Sequence, residues 1–352
     1  MDINFHGKRI TGILSVLPEN EYHFEDEVLD PNDAKARRLK KIIGFGTRRR
    51  VKKDTNMSDM FIYGIRHLLD ERKLKKEEIG AIVVVTLSPD YLLPQISSIL
   101  HGELDLPRDV YCLDIPQACA GYVIGLIQSF MLLEYLGDKK VLLCTGEIFN
   151  RKSNENEPKF VEPSFGGDVA NVTIIENTNI ESTIYGSVFN DGSQRECLVI
   201  HDGGFKNPMT PDKIAMQQSN IPFMGVAMDG SAVFNFVQKE VPPAIRELVE
   251  RAGRSMDEID YFLFHQPNKF MLQKLAEQLG VPYAKMPMRL TEKYGNSDSG
   301  TIPTVITTEV SEKLLEKNNL CCLSGFGGGL TWASLVMELG ELDFCENIVS
   351  NL

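Results

Sequence analysis

The sequence predicts an α/β protein built from two similar halves. Short apolar runs rich in β-branched residues recur along its 352 residues, and helix-length amphipathic segments separate them. This alternation is typical of strand and helix units, and we expect the strands to be largely parallel. With 43% hydrophobic and 24% charged residues, the chain can form two cores or one large layered domain.

The first half is predicted to contain six strands and two long helices. The strands are expected over residues 9–17, 79–87, 110–114, 140–148, 169–176 and 182–189, and the helices over residues 58–72 and 120–136. A stretch over 190–223 is dense in Gly, Asp, Asn and Pro, which indicates a long connection to the second half. We therefore place the boundary between residues 186 and 187.

The second half repeats the strand-then-helix pattern. Its strands are expected over residues 261–265, 320–324 and 332–338, and its helices over residues 232–252, 269–280 and 302–316. Each half carries a reactive residue at a strand end, which is where α/β folds place their sites.

Charge and cysteine spacing exclude several classes of function. The net charge of -12 argues against nucleic acid as a partner. No apolar run approaches the ~18 residues of a membrane span, and the N-terminus lacks the pattern of a secretory signal, so we expect a cytoplasmic protein. The seven cysteines include no CxxC pair, and we expect no metal site.

Cys119 is the candidate nucleophile. It lies in LDIPQACAGYVIGLIQSF, where a predicted strand ends and an apolar helix begins near Ala120. A thiol at a helix start lies near unpaired N–H groups and the positive end of the helix dipole, which favour the thiolate that attacks a thioester. The Cys119 amide could also act as an oxyanion donor. The structural alternative is a thiol that only packs in the interior.

His265 and Asn296 are candidates for polar groups at the same site. His265 closes an apolar strand in DYFLFHQPN, and Asn296 lies in the Gly/Ser-rich loop KYGNSDSGTIPTVI ahead of a helix. The alternatives are a hydrogen-bonded core histidine and an ordinary turn asparagine.

Three consecutive glycines, 327–329, lie between two apolar strands near the end of the chain. Backbone without a Cβ can approach a ligand closely and point an N–H group into a cavity. The run is not a dinucleotide-binding pattern, because no GxGxxG follows a strand and opens a helix. A simple hairpin turn is the alternative.

Taken together, five segments resemble those of β-ketoacyl-acyl-carrier-protein synthase III, both in their residues and in their order along the chain. They are ACAG around Cys119, MDGSAVFNFV at 228–237, HQPN at 265–268, YGNSDSGTIP at 294–303 and GFGGGLTW at 325–332. The resemblance spans nearly the whole chain. It implies the thiolase fold, two similar halves in a five-layer αβαβα arrangement, normally as a homodimer. Residues 1–186 would carry the cysteine, and residues 187–352 the histidine and asparagine.

The resemblance also implies a catalytic set of Cys119, His265 and Asn296, with no cofactor. In such enzymes the cysteine takes an acyl group from acyl-CoA, and malonyl on acyl-carrier protein then loses CO2 and attacks the acyl thioester. His265 and Asn296 would stabilise the enolate, while the amides of Cys119 and Gly328, beside Gly327, would hold the oxyanion. Acyl-CoA and acyl-carrier protein are the expected partners.

Departures from the family concern the substrate. The segment RRLKKIIGFGTRRRV lacks the tryptophan that relatives place against the CoA adenine, which leaves Arg48 and Arg151 as predicted contacts for CoA or a carrier, or as solvated charges. Leu93 stands where relatives often carry a phenylalanine that reaches the partner's acyl pocket. Asp298 introduces an unexpected carboxylate near the site. Further predicted substrate contacts, from the quoted segments, are Asn268, Gly230 and Ser231.

Three other functions stay open at this point. A synthase-III-like acyltransferase would pass the acyl group to an alcohol, amine or other acceptor, which Asp298 and the altered adenine site favour. A cysteine hydrolase would also need Cys, His and Asn, but the flanking sequences do not fit. A non-catalytic partner subunit would not need all three residues.

Overall fold

Two mixed β-sheets separate three layers of helices in the computed structural model, which describes residues 1–27, 32–71, 73–149, 166–213 and 226–352. Among these residues, no helix has both the length and the apolar character needed to cross a membrane.

The helices and strands of the described part are numbered in chain order. The strands are β1 (Asp2–His6), β2 (Lys8–Pro18), β3 (Asn20–His23), β4 (Thr47–Arg50), β5 (Ile79–Val85), β6 (Tyr111–Ile115), β7 (Lys140–Glu147), β8 (Val169–Asn177), β9 (Thr183–Asn190), β10 (Leu198–Ile200), β11 (Val226–Met228), β12 (Tyr261–Phe264), β13 (Asn319–Gly327), β14 (Thr331–Leu339) and β15 (Phe344–Ser350). The helices are α1 (Phe24–Glu27), α2 (Ala34–Ile43), α3 (Met57–Asp70), α4 (Ile96–Glu103), α5 (Gly121–Leu136), α6 (Gly230–Arg251), α7 (Lys269–Leu279), α8 (Leu290–Lys293), α9 (Thr301–Val305) and α10 (Ser311–Glu316), and a π-helical segment Ile306–Val310 joins the last two.

The two large sheets have the strand orders β15-β2-β8-β7-β5-β6, called here the N-terminal sheet, and β1-β9-β14-β13-β12, called the C-terminal sheet. The prediction of largely parallel strands is wrong. In the N-terminal sheet β2 and β7 both run antiparallel to β8, and in the C-terminal sheet only β12 and β13 are parallel. A continuous apolar run indicates that both faces of a strand are buried, but it does not indicate strand direction. A sheet between two helix layers is buried on both faces whether its strands are parallel or antiparallel.

The five-layer αβαβα arrangement is confirmed by the packing. Helices α3 and α4 cover the outer face of the N-terminal sheet, α6 and α7 cover the C-terminal sheet, and α5 and α9 lie between the sheets. In β5, Val83 and Val85 point to the central layer, whereas Ile82 and Val84 point to the outer helices. Helix α5 is apolar on every side, as a helix buried between two sheets must be.

The two halves of the chain are interlocked. The predicted boundary between residues 186 and 187 lies inside β9, which pairs with β14 of the second half and with β1 of the first. At the other end of the chain, β15 adds to the edge of the N-terminal sheet beside β2. Each sheet therefore contains strands from both halves of the sequence.

A buried polar cluster attaches the segment that follows Asn296 to the N-terminal sheet. The Asn171 side chain on β8 donates to the main-chain oxygens of Thr145 and Gly300, both at 3.2 Å. Its oxygen accepts from Ser15 and Thr304. Because all four polar contacts are made inside the protein, they fix the start of α9 relative to the sheet.

Candidate active site

Cys119 lies in the tight turn between β6 and α5. The Gly121 amide donates to the Ala118 oxygen at 2.7 Å, which closes the turn directly around the cysteine. The sulfur is partly buried, and the amides of Cys119 and Gly328 both act to lower the pKa of its thiol. Burial and the carboxylate of Asp298 act in the other direction and prevail, so the pKa lies well above its ordinary value. The resting site therefore holds a thiol, and the expected preference of the helix start for a thiolate is outweighed.

The glycine run brings the end of β13 against this turn. A Cβ at Gly327 would lie 2.6 Å from Cys119 Cβ and 2.7 Å from Sγ, and one at Gly325 would lie 2.8 Å from Ala120 Cα. No side chain fits at either position without displacing the Cys119 turn. The close approach brings the Gly328 amide to the sulfur, which is the geometry that an oxyanion site needs.

His265 follows β12 and is 1% exposed. Its amide donates to the Ser324 oxygen at 2.8 Å, which continues the pairing of β12 with β13. Burial lowers the pKa of the imidazole to about 3, so the ring is neutral at physiological pH. Its Nδ1 lies 2.8 Å from Thr301 Oγ1. When the Thr301 hydroxyl donates to Nδ1, the proton is on Nε2, which is the form that can donate to a substrate oxygen.

Asn296 is held on the N-terminal side of α9 by backbone contacts. Its main-chain oxygen accepts from Gly167 N at 3.0 Å, and a Cβ at Gly167 would lie 1.8 Å from the Tyr294 oxygen. The Asn296 side-chain oxygen accepts from the Asp298 amide at 2.9 Å. This contact orients the side-chain amide, whose Nδ2 group carries its two donors.

Asp298 contacts Cys119 directly. Its Oδ1 accepts a hydrogen bond from Cys119 Sγ at 3.1 Å, and this sulfur, one ring nitrogen of His265 and one carboxylate oxygen of Asp298 all lie within 4.8 Å of one another. Burial raises the pKa of its carboxyl group to about 6. The sequence predicted that Asp298 places an unexpected carboxylate near Asn296, and the structure shows that this carboxylate is in hydrogen-bond contact with the sulfur.

Glu147, at the end of β7, is a second buried carboxyl group that the sequence did not single out. It accepts hydrogen bonds from Leu87 N at 2.9 Å, from Ser88 Oγ at 2.7 Å and from Thr86 Oγ1 at 3.1 Å. Burial, and then the charge of Asp298, hold its pKa well above the ordinary range. Glu147 follows an apolar run, and nothing in the sequence distinguishes it from a glutamate that is exposed at the end of a strand.

Comparison with known proteins agrees with this geometry. The family described as 3-oxoacyl-[acyl-carrier-protein (ACP)] synthase III C terminal matches residues 249–339. The β-ketoacyl-[acyl-carrier-protein] synthase III of Latilactobacillus sakei is 31% identical over 284 residues, which cover 80% of this chain and 85% of that protein.

The chain therefore belongs to the β-ketoacyl-acyl-carrier-protein synthase III family of condensing enzymes.

Two further relatives extend the match to nearly the whole chain. The synthase III of Lactococcus lactis is 27% identical over 335 residues, 94% of this chain and 99% of that protein. The crystal structure of a 3-oxoacyl-(acyl-carrier protein) synthase from Burkholderia xenovorans has a TM-score of 0.88 at 30% identity and covers 99% of both chains. The thiolase-like fold predicted from the family resemblance is thus confirmed.

The synthase III segments also contain residues that perform structural tasks. The Asn268 side chain caps α7 by accepting from Met271 N at 2.8 Å. Gly230 and Ser231 are exposed at the start of α6, where Asp229 caps the helix by accepting from Ser231 N at 3.0 Å. Substrate contact stays a prediction for these three residues.

The remaining predicted substrate contacts lie apart from the sulfur. Leu93 is 84% exposed, in the segment between β5 and α4. Arg48 is 1% exposed and donates to the Gly166 oxygen at 3.1 Å, which contradicts a surface role toward CoA phosphates or a carrier. The reason is that β4 pairs antiparallel with β3, and the paired strand turns this arginine inward. Arg151 lies outside the described residues.

Replacement of Gly327 by alanine is expected to abolish acylation of Cys119, because the new methyl group would lie 2.6 Å from Cys119 Cβ and 2.7 Å from Sγ and would force the sulfur to move. Labelling by a radioactive acyl donor would measure this. Gly102→Ala is the control, since no atom lies within 4 Å of a Cβ at that position. Wild-type labelling of Gly327→Ala would contradict the close approach.

Replacement of Asp298 by asparagine is expected to stabilise the fold above about pH 6. The folded-state pKa of about 6 exceeds the ordinary 3.8, so the folded protein binds this proton more tightly than the unfolded chain. The carboxyl group therefore lowers stability progressively as the pH rises from 3.8 to about 6, and the penalty is complete above that.

Urea unfolding near pH 8 should show a free energy of unfolding roughly 1–3 kcal/mol higher for Asp298→Asn, with little difference near pH 4. The exposed Asp257→Asn serves as the control and should change stability at neither pH. A less stable Asp298→Asn protein near pH 8 would show that the carboxylate stabilises the fold.

Proposed function

We propose that this chain catalyses decarboxylative condensation of a Cys119-bound acyl group with malonyl-acyl-carrier protein, after acylation by acyl-CoA. The observation that carries this proposal is the set of donors around one sulfur. The amides of Cys119 and Gly328 face it, and a neutral His265 lies within 4.8 Å. The names of the relatives support the carrier protein as a partner.

The first half-reaction is transfer of an acyl group to sulfur. Cys119 Sγ attacks the thioester carbonyl, and its oxygen becomes an oxyanion. The amides of Cys119 and Gly328 are fixed by the α5 turn and by the glycine run, so they need no reorganisation to stabilise that charge. The CoA thiolate then leaves and Cys119 carries the acyl group.

The second half-reaction needs donors for an enolate. Loss of CO2 from a malonyl thioester leaves negative charge on its carbonyl oxygen. His265 is buried and neutral, and Asn296 Nδ2 is oriented by the contact of Oδ1 with the Asp298 amide. Two neutral donors can stabilise the enolate without binding the malonyl carboxylate so tightly that CO2 loss is opposed.

An acyltransferase that uses a neutral acceptor is the second candidate, and Asp298 favours it. In this reaction Asp298 would return to its ionised form after acylation, and a carboxylate beside the acylated sulfur can remove the proton of an alcohol or amine. Product analysis separates the two reactions, because only condensation releases one CO2 for each product formed.

The proposed donor reaction makes Cys119 the site of covalent labelling. Intact-protein mass spectrometry after exposure to a panel of acyl-CoAs should show one added acyl group, and Cys119→Ala should show none. Cys112→Ala is the matched control, since Cys112 is also a half-buried unpaired thiol. Absence of labelling by every acyl-CoA and acyl-carrier donor would refute the proposal.

We also infer that the protein forms a homodimer through the β6 edge of the N-terminal sheet. Among the described strands, β6 pairs only with β5, and Tyr111 on it is 50% exposed. Tyr91, Leu92 and Leu93 form an exposed apolar run on the neighbouring segment. An unpaired strand edge beside such a run is a surface that association would cover.

Sedimentation analysis should give twice the mass of one chain, and Tyr111→Asp should shift the protein toward the monomer. Tyr135→Asp is the control, because Tyr135 is 90% exposed near the C-terminal end of α5, which is the end that does not adjoin β6. A monomeric wild-type protein at micromolar concentration would rule out this dimer.

A further inference from the structure

We propose that Asp298 is a catalytic proton acceptor: it takes the Cys119 proton during acylation, keeps it while the acyl group occupies the sulfur, and returns it when the acyl group leaves. The inference rests on the proposed function for its substrate, a thioester. It goes beyond that function by assigning the path of the proton.

The first support is the way in which the carboxyl group is held. Oδ1 lies 3.1 Å from Sγ, and the residue has a φ of 46°, a left-handed conformation that side chains rarely adopt. Asn296 Oδ1 accepts from its amide at 2.9 Å, which fixes the Asp298 main-chain N–H group. The left-handed backbone and this contact together keep the carboxyl group on the sulfur.

The second support comes from a comparison of the groups near the sulfur that could accept its proton. The titratable groups that lie near the sulfur are Asp298 and His265 from the end of β12, and Glu147 from the end of β7 lies close enough to Asp298 to respond to its charge. The described part of the chain brings no lysine or arginine into contact with this group. His265 would have to become a buried cation to take the proton, and burial makes it the weaker base of the two that lie near Sγ.

The acylation step balances with Asp298 as the acceptor. The S–H bond of Cys119 breaks and its proton goes to the Asp298 carboxylate. The sulfur electron pair forms the bond to the acyl carbon, and the bond from that carbon to the CoA sulfur breaks. The CoA thiolate leaves with the electron pair and takes a proton from water.

Acylation then changes the environment of Asp298. The thiol hydrogen bond is the contact that favours its ionised form, and the acylated sulfur has no proton to donate. Burial remains, and it favours the protonated carboxyl group. The proton therefore stays on Asp298, and an anionic malonyl group meets an uncharged residue instead of a carboxylate.

The second half-reaction returns the proton. The carbanion left by CO2 forms a bond to the acyl carbon, and the bond from that carbon to Cys119 Sγ breaks. The sulfur leaves with the electron pair and takes the proton back from Asp298. Thiol and carboxylate are thus regenerated without exchange with bulk water.

Proton uptake during acylation is the direct test. In weakly buffered solution near pH 8 with an indicator dye, the wild-type protein should take up about one proton for each acyl group bound. Asp298→Asn should take up none and should acylate roughly 10²- to 10⁴-fold more slowly. The wild-type rate should rise with pH through about 6, and the variant should lack that rise.

Alkylation by iodoacetamide gives a test that does not depend on an acyl donor. Replacing the thiol proton by an acetamide group releases one proton unless a neighbouring base keeps it. Wild-type Cys119 should release none near pH 8 and the Asp298→Asn protein about one, with Cys119→Ala subtracted for the other thiols. Asp257→Asn is the control and should behave as wild type.

The outcomes separate this proposal from the proposed function. Equal acylation rates and pH profiles for wild type and Asp298→Asn would overturn the role of Asp298 while leaving the condensing function intact. Failure of every donor to acylate either protein would refute the proposed function, and the alkylation result would then decide the proton path by itself. Proton release by wild-type protein on alkylation would overturn it.

Discussion

The close approach of the Gly325 and Gly327 backbone to the Cys119 turn is the contact on which the rest of the site depends. It joins the end of a strand in the C-terminal sheet to the start of the central helix, so that the proposed nucleophile, Cys119, comes from one half and the Gly328 amide from the other. The interlocked sheets hold these halves together, because β14 pairs with β9 and β15 pairs with β2. A site divided between two halves needs such a rigid connection, since a small displacement would separate donor from sulfur.

The buried ionisable groups of the site lower the stability of the fold, and the same burial favours reactivity at the sulfur. Burial raises the cost of ionising both Asp298 and Glu147, and the charge of Asp298 raises it further for Glu147. A neutral buried His265 contributes no compensating charge. A surface position would lower that cost, but it would also surround the sulfur with water and weaken the amide contacts to an oxyanion. The unfavourable charge is thus consistent with a site arranged for proton transfer rather than for stability.

The sequence predicted the long buried elements well and the short edge elements poorly. Helix α5 and strands β5, β7 and β8 follow from apolar runs, whereas β1 and β15 at the sheet edges, and the β3–β4 pair, have mixed patterns and were not predicted. The inward turn of Arg48 depends on the pairing of β4 with β3, which lies far away in the sequence, so its burial could not be read from an arginine-rich run. Glu147 was missed for a similar reason, since its burial depends on tertiary contacts of the segment after β5.

Cys119 shows where local reasoning about reactivity fails. A helix start favours a thiolate through its amides, and the amides of Cys119 and Gly328 do act in that direction. Burial and a carboxylate at 3.1 Å act more strongly against it, so the resting sulfur keeps its proton. The same amides become fully effective only when the charge moves from sulfur to the substrate oxygen, because that oxygen carries no proton of its own. The reactivity of this cysteine is therefore a property of the transition state, and a base in contact with the thiol is what connects the protonated resting state to it.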